Sequence, residues 1–120
     1  MDYEIKLSDD KSFVIVHVKK HLSTQVALVF TQEAVDLASK HNINCYLIDI
    51  RGIKNTWSPF ETYQFAHDLE KYGRQRLHKV VLLVDSTDKT HAFLETTIVN
   101  QGHNNHLFTN YDEAVAWLKS

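Results

Sequence analysis

Two short polar stretches hold the groups whose types and spacing could act together. Asp49, Arg51, Asn55, Thr56 and Ser58 follow one apolar run, and Asp85, Ser86 and Thr87 follow another. Set side by side, these carboxylate, guanidinium, amide and hydroxyl groups would line a shallow polar cleft suited to an anion, a phosphoryl group or the polar surface of a partner. Ser58-Pro59-Phe60-Glu61 has the S-x-x-E form of a capping box, which puts the Ser58 hydroxyl at a helix N-terminus, where backbone N–H groups favour negative charge. The same residues also have structural uses. Ser58 can cap its helix, Asp85 or Thr87 can cap the next, and Asp49 can pair with Arg51. Trp57, inside the first stretch, is either a lid over the core or an anchor for a partner.

Other chemistries find less support. The three glycines, Gly52, Gly73 and Gly102, stand apart, so no clustered loop cradles a phosphate, and no G-x-S-x-G elbow is present. Eight histidines invite a metal reading through His103 and His106, or through His91 and Glu95 four residues apart. Neither pair has a spaced third ligand, so no metal and no cofactor are expected, and the histidines read as solvated surface groups. Asp49 and Ser86 at successive strand ends are similar to a phosphoacceptor receiver site. That arrangement needs an acidic pair after a strand leading into a helix and a lysine after the last strand. Here Asp9-Asp10 lie in a hairpin turn and Thr109-Asn110 stand in the lysine's place. No catalytic residue is expected.

A chain of 120 residues suits one domain, 1–120. With 43% hydrophobic and 23% charged residues and a net charge of −2, it has no basic field to draw nucleic acid. The single cysteine, Cys45, lies in an apolar run and reads as a small buried hydrophobe. No run approaches the ~18 apolar residues of a membrane span, and Met1-Asp2-Tyr3-Glu4 does not open a signal peptide; stable membrane insertion is not expected and a cytoplasmic location is.

The elements that must position the two stretches follow from periodicity. Tyr3, Ile5 and Leu7 alternate with Glu4 and Lys6, and after Ser8-Asp9-Asp10-Lys11 a second run carries Phe13, Ile15 and Val18 with Val14 and Val16 between, which predicts an antiparallel hairpin. Ser23 caps a helix to about His41, with Val26, Val29, Phe30, Ala34, Leu37 and Ala38 inward. Ile43 to Ile50 is a strand apolar on both faces, hence central, and Val80 to Val84 is a second such strand beside it. Between them a helix from Pro59 carries Phe60, Tyr63, Phe65, Ala66, Leu69 and Tyr72, read as core, and stops at Gly73; Arg74, Arg76, His78 and Lys79 form a basic connector. A helix from roughly Asp88 to Gln101 turns Ala92, Phe93, Thr96 or Thr97, and Val99 inward. A strand from His106 to Thr109 and a helix capped by Asn110, with Ala114, Val115, Trp117 and Leu118 inward, complete the chain. The fold class is α/β: one open mixed sheet of about five strands, an antiparallel hairpin followed by parallel βα units, and four helices. In such sheets ligands bind beyond the strand C-terminal ends.

The opening hairpin, the strand ending Leu47-Ile48-Asp49-Ile50-Arg51-Gly52, the aromatic helix, the strand Lys79 to Asp85 and the E-A-x-x-W-L ending Glu113-Ala114-Val115-Ala116-Trp117-Leu118 together resemble the SpoIIAA-like, STAS/SEC14 branch of the STAS (anti-sigma-factor antagonist) superfamily. The resemblance implies a bacterial, non-enzymatic domain that binds a protein, nucleotide or lipid-like ligand at the strand-end rim. Antagonists of this superfamily carry D-S-x-G after the central strand, whose serine is phosphorylated to release the partner. Here that place reads Arg51-Gly52-Ile53-Lys54-Asn55-Thr56-Trp57-Ser58, with Thr56 and Ser58 nearest to the switch serine.

Two readings of function follow. The first is a regulatory protein-binding module using the rim residues Asp49, Arg51, Asn55, Thr56, Trp57, Ser58, Asp85, Ser86 and Thr87. The second is a carrier of a small hydrophobic or lipid-like ligand, with Phe60, Tyr63, Phe65, Phe93 and Trp117 lining a pocket between helices and sheet. A homodimer through the edge strand or the aromatic helix is compatible with the sequence, which fixes neither.

Overall fold

A computed structural model of the chain describes residues 2–120. Its elements are β1 (Tyr3–Leu7), β2 (Val14–Val18), α1 (Thr24–Lys40), β3 (Cys45–Asp49), α2 (Pro59–Asp68) continuing into a 3-10 turn (Leu69–Tyr72), β4 (Lys79–Leu83), α3 (Ala92–Asn100), β5 (Asn104–Phe108) and α4 (Tyr111–Leu118). The five strands form one sheet in the order β1-β2-β3-β4-β5, with β1 antiparallel to β2 and every later pair parallel. The expected open mixed α/β sheet is present, with β3 at its centre.

Sequential strand order has a consequence for the helices. Right-handed crossovers that all step the same way put their helices on one face. The larger core cluster accordingly joins α1, α2 and α3 residues such as Phe30, Phe65 and Ile98 to Tyr46, Val80 and Leu82. The opposite face packs Leu47, Val81 and Leu83 against Ala114 and Leu118 of α4. Period-2 alternation thus sends Tyr46 to one layer and Leu47 to the other, and β3 is apolar on both sides because both are covered.

Helix boundaries follow their caps. The Ser23 hydroxyl accepts from Val26 N, Ser58 and Glu61 make the complete capping box with Pro59 in the first turn, and Asn110 accepts from Glu113 N. Gly73, at φ +100, ends the 3-10 turn in the left-handed region.

The inward faces differ from expectation in three helices. In α1 the buried stripe is Ala27, Leu28, Phe30, Thr31, Ala34 and Ala38, while Val26 and Val29 are exposed. In α2 it is Thr62, Phe65 and Ala66, continued by Leu69; Phe60 is 74% exposed and Tyr63 stacks on His67 at the surface. Only one arc of the α2 aromatics can face the sheet, and the i, i+3, i+4, i+7 set starting at Thr62 is that arc. Helix α3 begins at Ala92 instead of Asp88, because Asp88 Oδ1 accepts from Thr90 N and Oγ1 and holds a turn there. Its buried residues are Leu94, Thr97 and Ile98, with Phe93 and Val99 outward. Strand β5 starts at Asn104, two residues before the expected His106.

Candidate functional site

Strands β3 and β4 end side by side, with Asp49 opposite Leu83, and Ile50 N donates to Leu83 O at 3.0 Å just beyond. The two following loops are laced together. Gly52 N donates to Asp85 Oδ2 at 2.7 Å, Asn55 N to Thr90 Oγ1 at 2.9 Å, and His91 Nε2 to Ile53 O at 2.7 Å. Gly52 reaches Asp85 with φ +83, a left-handed turn that glycine adopts without strain.

Asp49 and Arg51 form a forked ion pair, with Arg51 Nε on Oδ1 at 3.0 Å and Nη2 on Oδ2 at 2.8 Å, while Arg51 N also donates to Oδ1. Burial alone would raise the Asp49 carboxyl, but the hydrogen bonds and charge of Arg51 outweigh it and hold the carboxyl below its usual range. Asn55 Oδ1 accepts from Trp57 N at 2.8 Å, an Asx turn that aims Trp57 inward. Trp57 is half-buried, its ring 4.9 Å from that of Phe65 and its Nε1 donating to Leu22 O at 2.9 Å. Thr56 bonds the His21 ring and is exposed. The Ser58 hydroxyl accepts from Glu61 N, and the Glu61 carboxylate accepts from Ser58 N, so the positive end of α2 already holds a carboxylate. Asp85, Ser86 and Thr87 are exposed; Asp85 ties the loops, and the expected cap at Asp85 or Thr87 is not made, since α3 follows His91 with no side-chain cap.

The histidines do not behave as a surface set. His78, His91 and His103 are buried. His91 bonds Ile53 O while Glu95 accepts from Leu107 N, and His106 packs edge-on against Trp117, so neither sequence pair converges. Cys45 is partly buried, with Sγ 3.4 Å from Leu118 O, and burial pushes its thiol up.

A cavity of about 80 Å³ lies under the rim, between β3 and β4 on one side and α1, α2 and α3 on the other. Asn55, Trp57, His21 and Lys54 line its outer end, and Ile48, Leu82, Phe65, Leu94 and Ile98 its apolar wall. Of the five residues expected to line such a pocket, Phe65 does so. Phe60, Tyr63 and Phe93 face solvent, and Trp117 lies on the α4 face. At the inner end stand two buried polar residues, Arg74, expected only as part of a basic connector, and Asn105, which was not among the expected site residues. The signal for Asn105 was available: with β5 starting at Asn104, alternation puts Asn105 and Leu107 opposite Val80 and Leu82 on the helix-covered face. Arg74 gave no such signal, because a residue after a helix stop has no periodicity to read.

The architecture defines a class: a five-stranded mixed α/β sheet, opened by a hairpin, with three helices on one face and one on the other. No family model matches the chain, and no curated protein matches it. Among solved structures it is similar to the anti-sigma factor antagonist SpoIIAA in its unphosphorylated form, with a TM-score of 0.51, 10% sequence identity, and 98% of each chain covered. The chain has the SpoIIAA-like fold.

Proposed function

We propose that this chain is a non-enzymatic regulatory module that binds a protein partner across the rim formed by Asp49, Arg51, Asn55, Thr56, Trp57, Ser58, Asp85, Ser86 and Thr87. The observation that carries the reading is the lacing of the two rim loops by Gly52–Asp85, Asn55–Thr90 and Ile53–His91, which holds exposed polar groups from two strand ends on one ordered ledge. Pre-ordered loops lose little entropy on binding, so their contacts are available for affinity. The likeness to SpoIIAA, described as an anti-sigma factor antagonist, supports a protein as the partner. Within the rim Arg51, Thr56, Ser86 and Thr87 are exposed and form the contact surface, whereas Asn55, Ser58 and Asp85 hold the backbone that presents it. The cavity is about half the ~150 Å³ void that admits a benzene ring, which disfavours the carriage of a long acyl chain.

The test is quantitative capture from the native host with wild type, an Arg51→Ala, Ser86→Ala, Thr87→Ala variant, and a control changed at exposed Gln32 and Lys40 on α1. The rim variant is expected to lose the partner that wild type and control retain. Equal capture by all three would remove the rim as the site.

A further inference from the structure

Arg74 is the most anomalous group in the molecule. It is 5% exposed, and its side chain makes one hydrogen bond among the described residues, from Nη2 to Asn105 Oδ1. Its Nε, like Asn105 Nδ2 and His91 Nδ1, is buried without a partner. No carboxylate acts on it. The phenol of Tyr46, which could supply a negative charge only when ionised, is pushed up to about 12 by burial and is therefore neutral. A buried guanidinium lacking both a countercharge and most of its hydrogen bonds is costly to fold, and an anion received there would offset that cost.

We infer that the cavity under the rim is a binding site for a compact monocarboxylate with a short aliphatic body, whose carboxylate is received by Arg74 and whose tail lies along Leu82, Leu94 and Ile98. A carboxylate matches the fork of a guanidinium in two parallel hydrogen bonds, and Arg74, which lines the cavity, has donors beyond the Nη2 bond to Asn105 left without a protein partner. The free amide of Asn105 is a further donor at the same end. The surrounding wall is apolar, and the neighbouring His78 and His103 are held neutral by burial and by Arg74, so a single negative charge is balanced where the two charges of phosphate are not. The volume of about 80 Å³ takes the carboxylate and the first carbons of a short chain, and the end of a butyrate-sized body reaches the open mouth of the cavity. Exposed His21 and Lys54 mark the entrance, with Lys54 able to attract the anion toward it. The cavity shares Asn55 and Trp57 with the rim but not Arg51, Ser86 or Thr87, so the rim substitutions above leave the butyrate response described next unchanged.

Thermal unfolding of the wild-type protein with sodium butyrate, butanamide, sodium chloride or sodium phosphate at matched ionic strength tests the inference. Butyrate at ten times its dissociation constant raises the midpoint by about 5 °C, and the other three do not. Arg74→Met removes the charge at similar volume; its midpoint without ligand equals or exceeds that of wild type, and its butyrate response is lost. Arg74→Lys keeps the charge without the fork and binds about tenfold more weakly, which decides the matter if Arg74→Met does not fold. No butyrate shift in wild type, an equal shift with butanamide or phosphate, or a response retained in Arg74→Met overturns the assignment.

Discussion

The buried basic cluster makes acid a specific destabiliser of this protein. His78 is 5% exposed, its ring packs edge-on to Tyr46 at 5.1 Å, and its Nδ1 accepts from Gln75 N at 3.1 Å. Protonation would place a charge in that pocket and break the bond to Gln75. Burial, with the charges of Arg74 and His103, pushes the imidazole from 6.5 down to about 4, and His103 moves in the same direction through burial and Arg74. Because the folded ring binds its proton less readily than the unfolded one, stability is full above about pH 6.5 and is lost as the pH falls toward 4. For His78 alone, an unscreened shift between pH 7 and pH 5 amounts to about 2 kcal/mol, which penetration of water around the ring reduces to about 1 kcal/mol. Carboxylates held low by partners, such as Asp49 and Asp88, lose their contributions only below their ordinary values near 4, outside this window. Urea unfolding at pH 7, 6 and 5 measures the loss. His78→Asn, whose side-chain oxygen can still accept from Gln75 N, should lose about 1 kcal/mol less than wild type over the same range. Equal losses in the two proteins, or a flat wild-type profile, would refute the argument.

Two further outcomes follow from the local geometry. Ser58→Ala removes the hydroxyl that accepts from Glu61 N, leaves the backbone N–H of residue 58 free to donate to the Glu61 carboxylate, and should cost about 1 kcal/mol in denaturant unfolding, with the helix still formed. Gly73→Ala meets Val35 Cγ1 at 3.0 Å at a φ of +100, whereas Gly52→Ala meets nothing at φ +83; calorimetry should therefore show Gly73→Ala losing about 2 kcal/mol or more and Gly52→Ala about 1 kcal/mol, the backbone strain alone.

Reading of the sequence reached the fold through short-range signals. The Ser23, Ser58 and Asn110 caps, the left-handed stop at Gly73 and the two apolar strands name their own elements, and the handedness of crossovers then orders the sheet. The rim residues were legible for the same reason, since they are the polar groups left where an apolar strand stops. Which arc of a helix faces the sheet was less accessible. Phe60 and Phe93 are as apolar as Phe65, and their exposure follows from where each helix starts and what crosses it.

The sequence by itself determined the order of elements, their caps, the central place of β3 and the adjacency of the two strand ends, because capping, periodicity and chirality act between residues close along the chain. Only the tertiary structure decided that the aromatic side chains of α2 and α3 would divide between core and surface, that the rim loops would tie to each other through Gly52 and Asp85, and that Arg74 would be enclosed beside Asn105 without a countercharge. Enclosure is set by the meeting of α1, α2, α3 and the sheet, segments far apart in sequence, and no local pattern around Arg74 records it.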